Sequence, residues 1–240
     1  MIALAACSPA RQPASNTSTT TTNARPTGAD LDKTTARWID NHLIDLMSPE
    51  GTFLRAAVES DRLVASSPQR GYSGLDEGYP GYRHAFNASF PAVHMVGDNA
   101  IRAGTRFYEV KNVSKDGDRY TIHFCDYASL VAIKEPDGQW RSSGSDPTVG
   151  TAVLTFGPDP KLAASQQVAP KAHQRGPAAK PADNVFGTWV NFKLDTAPDW
   201  YPQCNKLAPG TPTNWPNPYV RADPPPTLPP DPGWPDAGNA

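Results

Sequence analysis

Proline is spread unevenly along this chain, and that unevenness bounds how much of it can build a core. The 27 prolines among 240 residues are about twice the usual share of roughly 5 %. Their excess gathers at the two ends and in the stretch 157–183. Proline fixes φ and has no amide to give to a ladder or a helix, so the foldable part is smaller than the length suggests. The length allows one domain with tails, or two small domains. A net charge of −2, with 19 % charged residues, brings neither a basic patch nor an acidic block. Nucleic acid is therefore not an expected partner. No run of about 18 or more apolar residues occurs, so no transmembrane helix is expected.

Between the proline-rich parts the apolar pattern changes period. Leu31, Trp38, Ile39, Leu43, Leu46 and Met47 fall near helical spacing, which predicts a helix over 30–48 with Asp30 as its N-cap. Phe53, Leu54, Ala57, Val58 and Leu63 predict a second helix from Pro49 or Glu50 through Ala65, with proline suited to a first helical position. Together they would form a helical hairpin. The stretch 66–91 is rich in Gly, Pro and Tyr and reads as a long irregular segment. Its aromatics and His84 are either a binding lip or, the preferred reading, staples to the core.

Strands follow. TRFYEVKNV and RYTIHFCDY flank SKDGD, an Asp-Gly hairpin signal. In the second of these, Tyr120, Ile122, Phe124 and Asp126 share one face, while Thr121, His123, Cys125 and Tyr127 share the other. SLVAIKE, a second Asp-Gly turn at PDGQW, GTAVLTF and NVFGTWVNFKLD extend the series. Four or five strands in meander order after two helices predict an α+β domain, with the N-terminal helices packed on a curved antiparallel sheet. The expected domain spans 29–207 and carries a mobile insertion or linker at 157–183, with a short helix near 161–167. The Pro-rich tail 208–240 favours extended polyproline II. Trp215, Tyr219 and Trp234 either dock it to the domain or a partner, or leave it unstructured, which is the preferred expectation.

The chain opens MIALAACSPARQPASNTSTTTTNARPTG. Leu4-Ala5-Ala6-Cys7 resembles the bacterial lipobox, which implies a diacylglycerol thioether at Cys7 and cleavage just before it. The hydroxyl-rich tract 8–28 behind it has almost nothing to bury and is expected to be a disordered tether. Only six residues precede Cys7, none of them basic, whereas a signal peptide needs a charged start and a longer apolar segment. The true start is therefore expected upstream of Met1, with residues 1–7 a remnant of the signal. The alternative is an accidental motif. With Cys7 lipidated, Cys125 and Cys204 are left as an even pair, suited to a disulfide in an oxidising compartment. Otherwise they are two buried thiols.

The helices, the strand series and the lipobox with its tether resemble actinobacterial cell-envelope lipoproteins, a subset of which carries an NTF2-like (SnoaL-type) cone domain. The local stretch that carries the likeness is VKNVSKDGDRYTIHFCDYAS. The resemblance implies anchoring on the outer face of the membrane or in the wall, and O-mannosylation of the tether. The same cone fold hosts isomerases, cyclases, dehydratases and non-catalytic binders, so it does not choose among them.

The five histidines show no metal-ligand spacing, and no nucleophile elbow, P-loop or dinucleotide fingerprint occurs. No cofactor or metal is expected. Asp126, on the apolar face of its strand, is the one candidate general acid or base, with Tyr108, His94 and Asp98 as weaker companions. The plainer reading makes Asp126 a strand-end cap. His123, beside Cys125, reads as a packed histidine. The preferred function is a non-catalytic, lipid-anchored domain that binds a small apolar ligand or an envelope protein. The alternatives are a cone-type enzyme using Asp126 and a structural wall protein acting through its tails.

Overall fold

The structure, a computed structural model, describes residues 25–69, 71–86, 99–147 and 149–236. Cys7, the tether, His94 and Asp98 lie outside the described residues. The helix expected over 30–48 does not form. A single turn, α1 (Gly28–Leu31), starts with Thr27 and Asp30 exchanging hydrogen bonds as a capping box. It gives way at once to strand β1 (Asp32–Ile39). Asp30 is thus the third helical residue, not the cap. The reason is pairing: β1 runs parallel to β2 (Arg102–Asp116) from Asp32↔Arg102 to Ile39↔Glu109. Thr34 and Thr35, stiff at χ1, suit that extended backbone. The helical hairpin is accordingly a strand, a turn and a helix.

The second helix forms as expected. In α2 (Pro49–Ser66), Ser48 caps with its hydroxyl on the Gly51 amide at 3.1 Å, Pro49 opens the first turn and Glu50 faces the N-terminal end of the helix dipole. Phe53, Leu54, Ala56 and Ala57 are fully buried. Phe53 stacks on Phe156 at 4.6 Å between ring centroids and meets Phe186 edge-on at 5.5 Å. The stretch after α2 holds a short 3-10 helix (Gly71–Glu77) and α3 (Tyr82–Phe86). Tyr79, Tyr82 and Phe86 are buried there, so these aromatics act as staples.

The strands form one α+β sheet whose spine is β2. One edge of β2 takes β1. The other takes β4 (Val131–Lys134) at Arg102–Gly104 and β3 (Arg119–Tyr127) from Phe107 onward. The β2–β3 hairpin turns on Gly117-Asp118, with Gly117 at φ 56°. From β3 the sheet continues through β6 (Val149–Pro158) to β7 (Trp189–Thr196). From β4 it continues through β5 (Trp140–Ser142) to β8 (Tyr219–Arg221). All pairs except β1–β2 are antiparallel. This branching corrects the expected meander: β4 returns to β2, and β6 returns to β3. The branch point depends on Gly104, at φ 114°, where a Cβ would press into the carbonyl oxygen of Leu130.

Two further expectations are corrected. The segment 157–183 is not set apart as an insertion: the His173 amide donates to the Met47 carbonyl at 2.7 Å, and Ala178 bridges Trp234. In place of the helix near 161–167 there is only a 3-10 turn (Ala164–Gln166). The Pro-rich tail is extended but docked. It supplies β8, lays Asp231 beside Arg37 of β1, and buries Trp234 to 1 % exposure. Tail burial is possible because proline costs nothing where no amide is asked for, and amides of the tail find partners: Asp231 on the Ala36 carbonyl of β1, Leu228 on the Thr105 hydroxyl of β2 and Trp234 on the Ala178 carbonyl.

Cys125 and Cys204 form a disulfide, with Cα atoms 5.4 Å apart. It ties β3 to the short helix α4 (Tyr201–Cys204). Around it Phe107, Tyr127 and Ala208 are buried on the sheet face opposite α2. On that face His123 stacks on Trp200 at 4.5 Å, and burial, then Lys193, lower its pKa. It is a packed histidine. Among the described residues no helix is long and apolar enough to cross a membrane.

Candidate ligand-binding site

The face of the sheet that receives α2 is apolar over most of its extent and charged at one end. Alternation along β2 puts Arg106, Tyr108 and Val110 on that face. Tyr108 sits opposite Asp126 of β3, and Arg106 opposite Ala36 of β1. Arg106 Nη1 donates to both oxygens of Asp126, at 2.9 and 2.7 Å. From α2, Arg62 approaches Asp32 at 3.6 Å, and Asp32 also accepts the Thr34 hydroxyl and amide. Two guanidinium groups and two carboxylates thus surround Tyr108, which is 2 % exposed and stacked on Trp38 at 4.8 Å.

Each charge has a physical account. Burial works against the ionised form of Asp32, but Arg62, Arg106 and Thr34 outweigh it and hold its carboxyl below the ordinary range. Burial likewise opposes the charge on Arg106, and Asp126, Tyr108 and Asp32 more than restore it, so this guanidinium stays protonated. Burial, then the Asp126 charge, pushes the Tyr108 phenol well above its ordinary value. It is a neutral hydroxyl at any physiological pH.

Deeper in, Glu59 of α2 is 6 % exposed. It accepts the Trp38 indole N–H at 2.9 Å, the Tyr79 hydroxyl at 2.7 Å and the Trp234 indole N–H at 2.9 Å. Burial raises its pKa, opposed in part by Arg55 and by these three donors. Arg55, itself fully buried, lies over the Trp234 ring at 4.3 Å. This buried knot joins β1, α2, the residues before α3 and the tail.

Two neighbouring hollows open around Tyr108. One, of about 310 Å³, lies between β1, α2 and residues 179–180, lined by Ala36, Arg62, Leu63, Tyr79 and Arg106 among others. The other, about 190 Å³, lies toward β6 and β7, lined by Val58, Phe124, Asp126, Ala152 and Leu194. Arg62 and Tyr108 border both. The result is a trough with an apolar floor and charges on its rim, the composition of a small-molecule site.

Of the residues singled out in the sequence, the structure brings Asp126 and Tyr108 together. Asp126 does point toward the α2 side, and Arg106 Nη1 contacts both its oxygens, so it stands as half of an ion pair. Asp32, Arg62, Arg106 and Glu59 escaped sequence reasoning. The available signal was Arg106, an arginine at a core-facing parity position two residues before Tyr108. Among the described residues no group of three or more His, Cys, Asp or Glu is placed to hold a metal ion. Compared with protein-family models, curated proteins and solved structures, the chain matches none.

Proposed function

We propose that this is an exported, lipid-tethered envelope protein whose trough binds a small, mainly apolar molecule without transforming it. The observation that carries the reading is the trough itself: apolar side chains line its floor, while the charges nearest Tyr108 are paired, Arg106 with Asp126 and Arg62 with Asp32. Charges paired in this way suit orienting a ligand more than moving a proton. The Cys125–Cys204 disulfide is consistent with an extracytoplasmic protein, and the lipobox-like Leu4-Ala5-Ala6-Cys7 supports a membrane tether. Two acyl chains would hold it stably where one would not.

The test is made on protein purified from an actinobacterial envelope after expression from an upstream start. Solvent extraction should release a co-purified apolar molecule, and Leu63→Trp, which fills the first hollow, should abolish its retention. Recovery of no such molecule, with no thermal stabilisation by decanol, would overturn the binding reading. Acyl mass at Cys7 tests the tether separately: a Cys7→Ala form that stays in the membrane fraction would refute it.

A cone-type enzyme is the second reading, favoured by one observation: Tyr108 and Asp126 border the same hollow. It requires Arg106 to release Asp126 during turnover.

A further inference from the structure

Another cavity lies beside the trough, with Arg106 as the shared wall. Arg102 of β2 pairs with Ile133 of β4, and Ile133 with Arg141 of β5, so all three lie on the sheet face that carries Arg106 and Tyr108. With Arg106, Ser142 and Ser143 they line this cavity, of about 330 Å³. Arg106 borders both this cavity and the first hollow of the trough. Among the described residues no carboxylate lines this end.

Its three guanidinium groups are held from outside the cavity. Asp126 takes Nη1 of Arg106, Glu135 takes Nε of Arg141 at 3.0 Å, and Arg102 Nη1 donates to the Ala100 carbonyl at 3.1 Å. The side chain of Arg106 is 9 % exposed. Asp126 occupies Nη1 alone, and Nε is buried without an acceptor among the described residues. The Ser143 hydroxyl is buried without a partner as well. Buried donors left unsatisfied are costly and call for an explanation. A guanidinium with one edge empty has the geometry that takes two oxygens of a carboxylate or phosphate.

We propose that this arginine-lined end binds an oxyanion, a carboxylate or phosphate, that is the head group of the same molecule whose apolar body occupies the trough. The inference rests on the binding-protein reading above and adds its ligand class, an anionic amphiphile. The apolar floor and the cationic end meet at Arg106, so one molecule reaches both. Arg106 stays fixed by Asp126 while its other edge receives the head group, and Ser143 and Arg141 complete the cradle.

The experiment is isothermal titration of the full chain near neutral pH with decanoate, decyl phosphate, decanol and inorganic phosphate, the amphiphiles below their micellar concentrations. Arg106 is not the residue to change, because its loss strands Asp126. Arg141→Gln and Ser143→Ala serve instead. The two anionic amphiphiles should bind roughly tenfold or more tightly than decanol, the worth of a charge-assisted hydrogen bond. Both variants should shrink that advantage and leave decanol binding unchanged. A preference for decyl phosphate over decanoate, or the reverse, supports the proposal and names the head group. Equal binding of decanol and decanoate would overturn the oxyanion end while the trough reading stands. Inorganic phosphate binding as tightly as decyl phosphate would overturn the link to an apolar body. Failure of all three amphiphiles to bind would overturn the trough reading and this inference together.

Discussion

Replacing Trp234 with alanine isolates the tail's part in the core. The indole is 1 % exposed, donates to Glu59 at 2.9 Å, meets Tyr79 edge-on at 5.6 Å and lies under Arg55 at 4.3 Å. Truncating a buried tryptophan costs about 3–5 kcal/mol from transfer and cavity terms. Arg55 loses its aromatic face as well, and a desolvated cation–π contact is worth roughly 2 kcal/mol. Partial collapse of the site offsets some of this, so about 4 kcal/mol is the working figure. For a domain of this size that lowers the melting temperature by about 8–16 °C. Trp234→Phe keeps most of the packing and loses the hydrogen bond to a buried carboxyl group, a cost of about 1.5–3 kcal/mol. Trp215, half-buried and tilted against Tyr219 at 4.6 Å between ring centroids, is the internal control, and its alanine variant should melt close to the parent. Calorimetry on disulfide-intact protein reads all three. A Trp234→Ala protein melting within about 2 °C of the parent, under 1 kcal/mol, would mean that the tail is dispensable and the buried knot around Glu59 is not formed.

Three further perturbations probe separate parts of the fold. The 79-residue separation of Cys125 and Cys204 gives a chain-entropy contribution of up to about 4.5 kcal/mol; reductant should lower the melting temperature markedly, and quantitative alkylation of both thiols in native, unreduced protein would refute the bond. Glu59 binds its proton more tightly folded than unfolded, so its contribution is full below the unfolded pKa of about 4.3 and is lost as pH rises through the folded value. Asp32 runs the other way, its contribution present above the unfolded value and lost as pH falls through the folded one. Glu59→Gln should therefore flatten the loss of stability with rising pH, and a denaturation profile parallel to the parent's at every pH would sink that assignment. Gly104→Ala meets both a φ of 114° and the Leu130 carbonyl and should cost roughly 3 kcal/mol or more, against about 1 kcal/mol for Gly117→Ala, where the turn is open; equal urea midpoints for the two variants would argue against the branch point at Gly104.

What was legible in the sequence is what local physics decides. The two-residue alternation through 119–127 sorted Ile122 and Phe124 onto the face that α2 covers and Cys125 onto the other, because successive side chains on a strand have no choice of side. Ser48, Pro49 and Glu50 announced α2, since a cap, a pre-set φ and a favourable charge act within one turn. The even pair of cysteines followed from arithmetic. Contacts between distant segments decided the rest. Residues 32–39 carry a helix-like apolar pattern yet become a strand because β2, about 70 residues on, offers a parallel edge along their whole length. The tail is bound by Glu59, 175 residues before Trp234, and no composition rule for proline anticipates a single carboxyl group waiting for one indole. The charged end of the trough is likewise invisible in one dimension. Asp32, Arg62, Arg106 and Asp126 sit on four elements, each an ordinary surface charge by itself, and only the closing of the sheet around α2 sets them against one another.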